Sequence, residues 1–217
     1  GTACCPSNMA RLLPQVQGMT YAHDESSLYV TFYAASTTHA QVAGSKVAIT
    51  QKTDYPNEGD ITLRINPEKP TRFKLHLRIP TWTRERFVPG ELYSYADKFK
   101  TATKLVINGK PMKYQLGKGF AIIDRTWKKG DRVNLHLPMP VRVTRCHKAV
   151  VDNHDRVAIT RGPFVLCAEG VDNGGVTERF YFDKATKVGK YKVKTTKIDS
   201  GTFIQVSVQA QSITKDE

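Results

Sequence analysis

The chain has 217 residues, with 33 Lys and Arg against 20 Asp and Glu, a formal charge of +13. Its 40% hydrophobic, 9% aromatic and 24% charged residues exclude a disordered or collagen-like polypeptide and allow one large or two small domains. No stretch reaches the roughly 20 apolar residues of a bilayer-spanning helix, and the first residues lack the basic-then-apolar order of a signal peptide. Four cysteines are too few to staple a chain of this length, so cysteine usage leaves the compartment open.

The first residues predict a helix. Pro6 suits a first helical turn, Met9, Leu12, Leu13 and Val16 recur at helical spacing, and Gly18 stops the run, with Pro14 shortening or bending it. From Tyr21 onward, short β-branched and aromatic runs between turn residues predict strands at 28–35, 46–52, 60–65, 72–79, 104–108, 119–124, 132–137, 141–147, 156–160, 163–168, 177–182, 190–196 and 202–209. Asn108-Gly109 is the pairing of a tight hairpin, and Lys129-Gly130-Asp131 marks another turn. The long stretch 85–104, with Tyr93, Tyr95 and Phe99, reads as an insertion between strands and the best surface contact loop. Lys190, Lys192 and Lys194 alternate with Tyr191 and Val193, as on a protected edge strand. So many strands with one short helix predict an all-β chain of one or two antiparallel β-sandwiches, broken near Pro138-Met139-Pro140.

Several residue types could carry chemistry. Cys4 and Cys5 stand side by side at a helix start, where amides and dipole favour thiolate, the form that acts as nucleophile or metal ligand; two thiolates are half of a tetrahedral zinc site. Asp152, His154 and Asp155 read as a polar turn. Cys146 and His147 alternate to opposite faces of a strand, and Cys167 reads as a buried core thiol. Glu169, Asp172 and Asn173 fit no calcium loop. Trp82 and Trp127 read as core, whereas Tyr93 and Tyr95 are candidate glycan contacts. Nucleic-acid binding has no support beyond charge, since no helix-turn-helix, RNP-like or finger pattern occurs.

The run Cys4-Cys5-Pro6-Ser7-Asn8-Met9-Ala10-Arg11 resembles the Cys-Cys-Pro-Pro-Asn-x-Ala-Arg run of the β-L-arabinofuranosidases of glycoside hydrolase family 127. Further matches follow in order: Leu28-Tyr29-Val30, Thr53-Asp54-Tyr55-Pro56, Leu77-Arg78-Ile79-Pro80-Thr81-Trp82, Arg125-Thr126-Trp127-Lys128-Lys129-Gly130-Asp131, and Arg161-Gly162-Pro163-Phe164-Val165 leading to Glu169-Gly170-Val171-Asp172-Asn173. The resemblance covers about residues 3–175. It implies that Cys4 is the nucleophile and that Cys4 and Cys5 bind zinc in the intact protein. The remaining ligands and the glutamate acid/base would lie upstream, in an (α/α)6 helical barrel.

On this reading residues 1–20 are the remnant of the helical catalytic domain, 21–138 a first β-sandwich and 139–217 a second. Retaining glycoside hydrolysis needs both a nucleophile and an acid/base group, so the chain alone is expected to be inactive and to hold no zinc. The resemblance also implies that it braces its own missing helical domain, forms a homodimer interface and serves a plant-type glycan substrate, in an exported or periplasmic setting, without nucleic-acid or membrane partners. The alternative is a free-standing carbohydrate-binding β-sandwich for acidic glycans.

Overall fold

Helical spacing near the start produces α1 (Cys4–Val16), followed by a single 3-10 turn over Gln17–Met19. The helix runs two residues beyond Pro14, whose ring supplies no N–H for the bond back to Ala10. The computed structural model describes residues 4–84, 86–98, 102–175, 177, 180–181, 191–199, 201–208 and 210–212. Parts of the readings at 85–104, 177–182 and 190–196, including Phe99 and Lys190, lie outside them.

The strands follow in chain order: β1 (Tyr21–His23), β2 (Ser27–Val30), β3 (Ser36–Val42), β4 (Ser45–Thr53), β5 (Asp60–Pro67), β6 (Thr71–Arg78), β7 (Tyr93–Tyr95), β8 (Lys104–Ile107), β9 (Lys110–Pro111), β10 (Gln115–Gly117), β11 (Phe120–Trp127) and β12 (Asp131–His136). Then come β13 (Val141–Cys146), β14 (Val157–Arg161), β15 (Phe164–Leu166), β16 (Phe180–Tyr181), β17 (Lys192–Ile198), β18 (Gly201–Ser207) and β19 (Gln211–Ser212). The all-β expectation with one short N-terminal helix holds. Two compact units result, Gly1–Thr83 with Thr101–Pro138, and Arg84–Lys100 with Met139–Glu217.

The first unit stacks a five-stranded sheet, β1-β2-β6-β11-β10, on a six-stranded one, β3-β4-β5-β12-β8-β9. Its period-2 strands bury alternate residues. Val47 and Ile49 of β4, Ile61, Leu63 and Ile65 of β5, and Val133 and Leu135 of β12 face Phe73, Leu75 and Leu77 of β6 and Ala121, Ile123 and Trp127 of β11. Each fully buried aliphatic side chain contributes about 1.5–3 kcal/mol. Among the described residues every ladder is antiparallel except β2 with β6, which is parallel because three strands of the other sheet intervene in the chain.

Asn108 and Gly109 turn β8 into β9 with φ of 50° and 79°, as the hairpin reading requires. Gly59 is needed for a different reason. A Cβ there would lie 1.8 Å from the Leu137 carbonyl oxygen, where the Leu137 N–H donates to Gly59 O at 2.8 Å.

Gln51 is a buried polar residue in this core. Its Nε2 donates to Ala34 O at 2.8 Å and to the Tyr21 hydroxyl at 3.3 Å, pinning the segment that joins β2 to β3. The strand read at 28–35 therefore ends at Val30, and Phe32 turns outward.

On the outer face of the five-stranded sheet, His76 stacks on Tyr29 at 4.2 Å and meets the edge of Phe120. Among the described residues its buried Nε2 has no hydrogen-bond partner. Burial lowers the His76 pKa, with Lys74 adding to the effect and Asp24 opposing it. The unfolded chain, titrating near pH 6.5, then takes up this proton first, so the His76 contribution is complete above that pH and is lost as pH falls below it. The unfolding midpoint should fall between pH 7 and pH 5, and His76→Phe should flatten that slope. An unchanged slope in the variant would disprove the assignment.

In the second unit β15-β14-β13-β7 form a four-stranded antiparallel sheet, with β16 paired to β19 and β17 to β18. Residues 84–98 cluster here although chain order places them within 21–138, and they are not simply a surface loop. β7 pairs with β13, Tyr93 opposite Cys146 and Tyr95 opposite Thr144. Lys192 and Lys194 are exposed on the β17 hairpin. Cys167 corrects its sequence reading: it lies past the end of β15 and is exposed, since the run Phe164–Leu166 sits on an outer strand where the next residue escapes cover.

Candidate functional site

Cys4 and Cys5 occupy the first turn of α1, where no acidic side chain is present. Both thiols are free and exposed, with their sulfurs 3.8 Å apart. The Ser7 hydroxyl donates to Cys4 O at 3.1 Å, and Arg11 donates to Asn8 Oδ1 at 3.2 Å, so the polar residues of the Cys-Cys-Pro-Ser-Asn run brace the helix itself. Every α1 side chain is exposed, including Met9, Leu12, Leu13 and Val16. Among the described residues no group of three His, Cys, Asp or Glu side chains is placed to hold a metal.

The other motif residues build turns and core. Trp127 is fully buried and donates from Nε1 to Phe73 O at 3.1 Å, while Asp131 accepts from the Lys128 N–H at 2.9 Å and Asn108 Nδ2 at 2.8 Å. Trp82 is buried and hydrogen-bonds Tyr55, whose ring meets Tyr33 edge-on at 5.7 Å. The Tyr33 hydroxyl donates to Arg78 O at 2.5 Å, and burial raises its pKa. Asp152 lies in a 3-10 turn, His154 Nε2 meets Lys148 O at 2.8 Å, and Cys146 Sγ bonds Asn153 O at 3.1 Å instead of joining His147. Asn173 Nδ2 donates to Glu169 O at 2.7 Å, closing another polar turn.

Tyr93 and Tyr95 are half-buried. The Tyr93 hydroxyl accepts from Asn153 Nδ2 at 3.3 Å, and the face of Tyr95 carries the Arg142 guanidinium 3.4 Å from its ring centre. Arg142 is the residue that sequence reasoning missed. It is 5% exposed, donates to Arg84 O at 2.7 Å and Asp97 O at 2.9 Å, and pairs with the Asp97 carboxylate at 3.3 Å. In a Val-Arg-Val alternation an arginine reads as outward-facing; Arg84 and Asp97, brought to it by the segment that carries β7, supply the acceptors that permit burial.

Comparison with known proteins gives these motifs a common origin. Residues 27–139 match the sequence profile "Beta-L-arabinofuranosidase, GH127 middle domain", and residues 141–211 match "Glycoside hydrolase family 127 C-terminal domain". The chain belongs to glycoside hydrolase family 127. This family 127 chain is 31% identical over 180 residues to a non-reducing end β-L-arabinofuranosidase of Bifidobacterium longum subsp. longum, covering 81% of the chain and 24% of that protein. Among solved structures it resembles a GH127 β-arabinofuranosidase at 35% identity and TM-score 0.87, over 99% of the chain and 33% of that structure. A GH127 β-L-arabinofuranosidase from Geobacillus stearothermophilus T6 matches at 32% identity and TM-score 0.81, over 94% of the chain and 29% of the other. The chain thus spans about a quarter to a third of the length of these relatives.

Proposed function

We propose that the chain is the accessory β region of a β-L-arabinofuranosidase-like hydrolase, bracing a helical catalytic domain and contributing Cys4 and Cys5 to its site. The observation that carries this reading is the near-continuous match of two adjoining family 127 domains to residues 27–211, beside relatives several times longer. The exposed apolar side chains of α1 are a surface that such a domain would cover.

Two sulfurs bound at about 2.3 Å to one tetrahedral zinc lie about 3.8 Å apart, and the Cys4 and Cys5 sulfurs stand at 3.8 Å, so the pair fits two ligand positions. Bound zinc would keep both sulfurs deprotonated and in place. Cys4 Sγ then attacks the anomeric carbon, and the glycosidic oxygen leaves with a proton from an acid on the helical domain. Water, deprotonated by the same group, displaces the sulfur and releases the sugar.

The whole gene product is expected to release L-arabinose from p-nitrophenyl β-L-arabinofuranoside. Cys4→Ser should lower the rate by about a thousand-fold or more. In the 217-residue chain, where Cys4 is exposed, the same substitution should leave the thermal midpoint unchanged. Full activity in the variant, or turnover by the 217-residue chain alone, would overturn the proposal.

A further inference from the structure

We propose that the outer face of the six-stranded sheet binds a uronate-bearing polysaccharide, with carboxylates seated on the Arg64 and Arg132 pair. The register sets Arg64 of β5 directly opposite Arg132 of β12, both exposed. Like charges in that relation disfavour pairing of the strands. Among the described residues neither guanidinium has an ion-pair partner, whereas Arg72 on the outer face of the other sheet pairs with Asp124 at 3.0 Å. A carboxylate between the two guanidinium forks would remove the repulsion and accept paired N–H bonds.

The surroundings favour an extended acidic glycan. In the next row Lys52, Thr62 and Asn134 face the same side, Asn134 Nδ2 donating to Thr62 Oγ1 at 2.8 Å, and Lys104 stands beyond. Asp60 is already paired with His136 at 2.7 Å, and Glu68 lies at the far corner beside Lys46. These cations stand on four neighbouring strands spaced about 4.8 Å apart, the arginine pair in one row, Lys52 in the next and Lys104 in the one after, a spread that a linear polyanion can cross. The outward-facing positions of β4, β5 and β12 hold no Phe, Trp or Tyr, so the face lacks the stacking platforms that single-stranded nucleic acid or neutral sugar rings require.

The inference does not depend on the accessory-region reading, because it is tested by binding to the 217-residue chain and not by hydrolysis. Affinity electrophoresis and calorimetry would use polygalacturonate, neutral arabinan and oligothymidine, with Arg64→Gln/Arg132→Gln as the test variant and Lys192→Gln/Lys194→Gln as a control of equal charge loss. Expected are polygalacturonate binding that weakens about ten-fold or more in the arginine variant and less than about three-fold in the control, with little arabinan or oligothymidine binding. The unfolding midpoint of the arginine variant should hold or rise. Absence of polygalacturonate binding would overturn the proposal, as would equal weakening in both variants or oligothymidine binding of equal strength and equal sensitivity.

Discussion

Trp127→Ala is expected to cost the first unit about 3–5 kcal/mol of stability, because the substitution empties the largest fully buried site in its core. The indole lies at the end of β11, stacked near Phe73 with ring centres 5.8 Å apart, and the Arg125 guanidinium sits 5.1 Å from its centre. Trp127→Phe should cost less, since it keeps most of the volume and removes the bond to Phe73 O. Urea unfolding followed by circular dichroism would order the three proteins wild type, Phe, Ala. Equal midpoints for wild type and Ala would show that the indole does not hold the sheets together.

Arg142→Met should cost about 2–4 kcal/mol by stranding the acceptors that one guanidinium now serves. Methionine retains the stem but cannot bond Arg84 O, Asp97 O or the Asp97 carboxylate, and it removes the cation from the face of Tyr95. The half-exposed Asp97 carboxylate can turn to water, which keeps the loss below that of a fully buried pair. Hydrogen exchange should show the β7 amides losing protection before those of β14. Unchanged β7 protection would mean that backbone pairing with β13 suffices to hold the segment.

Alternation of apolar and polar residues made β4, β5, β6 and β12 legible, because each buries mainly one face and period 2 then writes the burial into the sequence. β3 escaped the same reading. Its Ser-Thr-Thr-His-Ala-Gln-Val run lies at a sheet edge, where backbone pairing with β4 supports a strand that few apolar side chains announce. Cys167 failed for the opposite reason, since an apolar run predicts burial only where a neighbouring layer covers it.

The short Cys4 and Cys5 spacing and the ordered motifs also lie in the sequence, as do the hairpin at Asn108-Gly109 and the surplus of positive charge. Local chemistry suffices for these, because a turn needs particular φ angles and a motif is read from neighbouring residues. Tertiary structure alone decided that β2 runs parallel to β6, that residues 84–98 belong with the second sheet, and that Arg142 is buried beneath them. It also set Arg64 against Arg132. These relations join residues that are distant in the chain, and their free energies arise from strand register and shared burial, which no local pattern encodes.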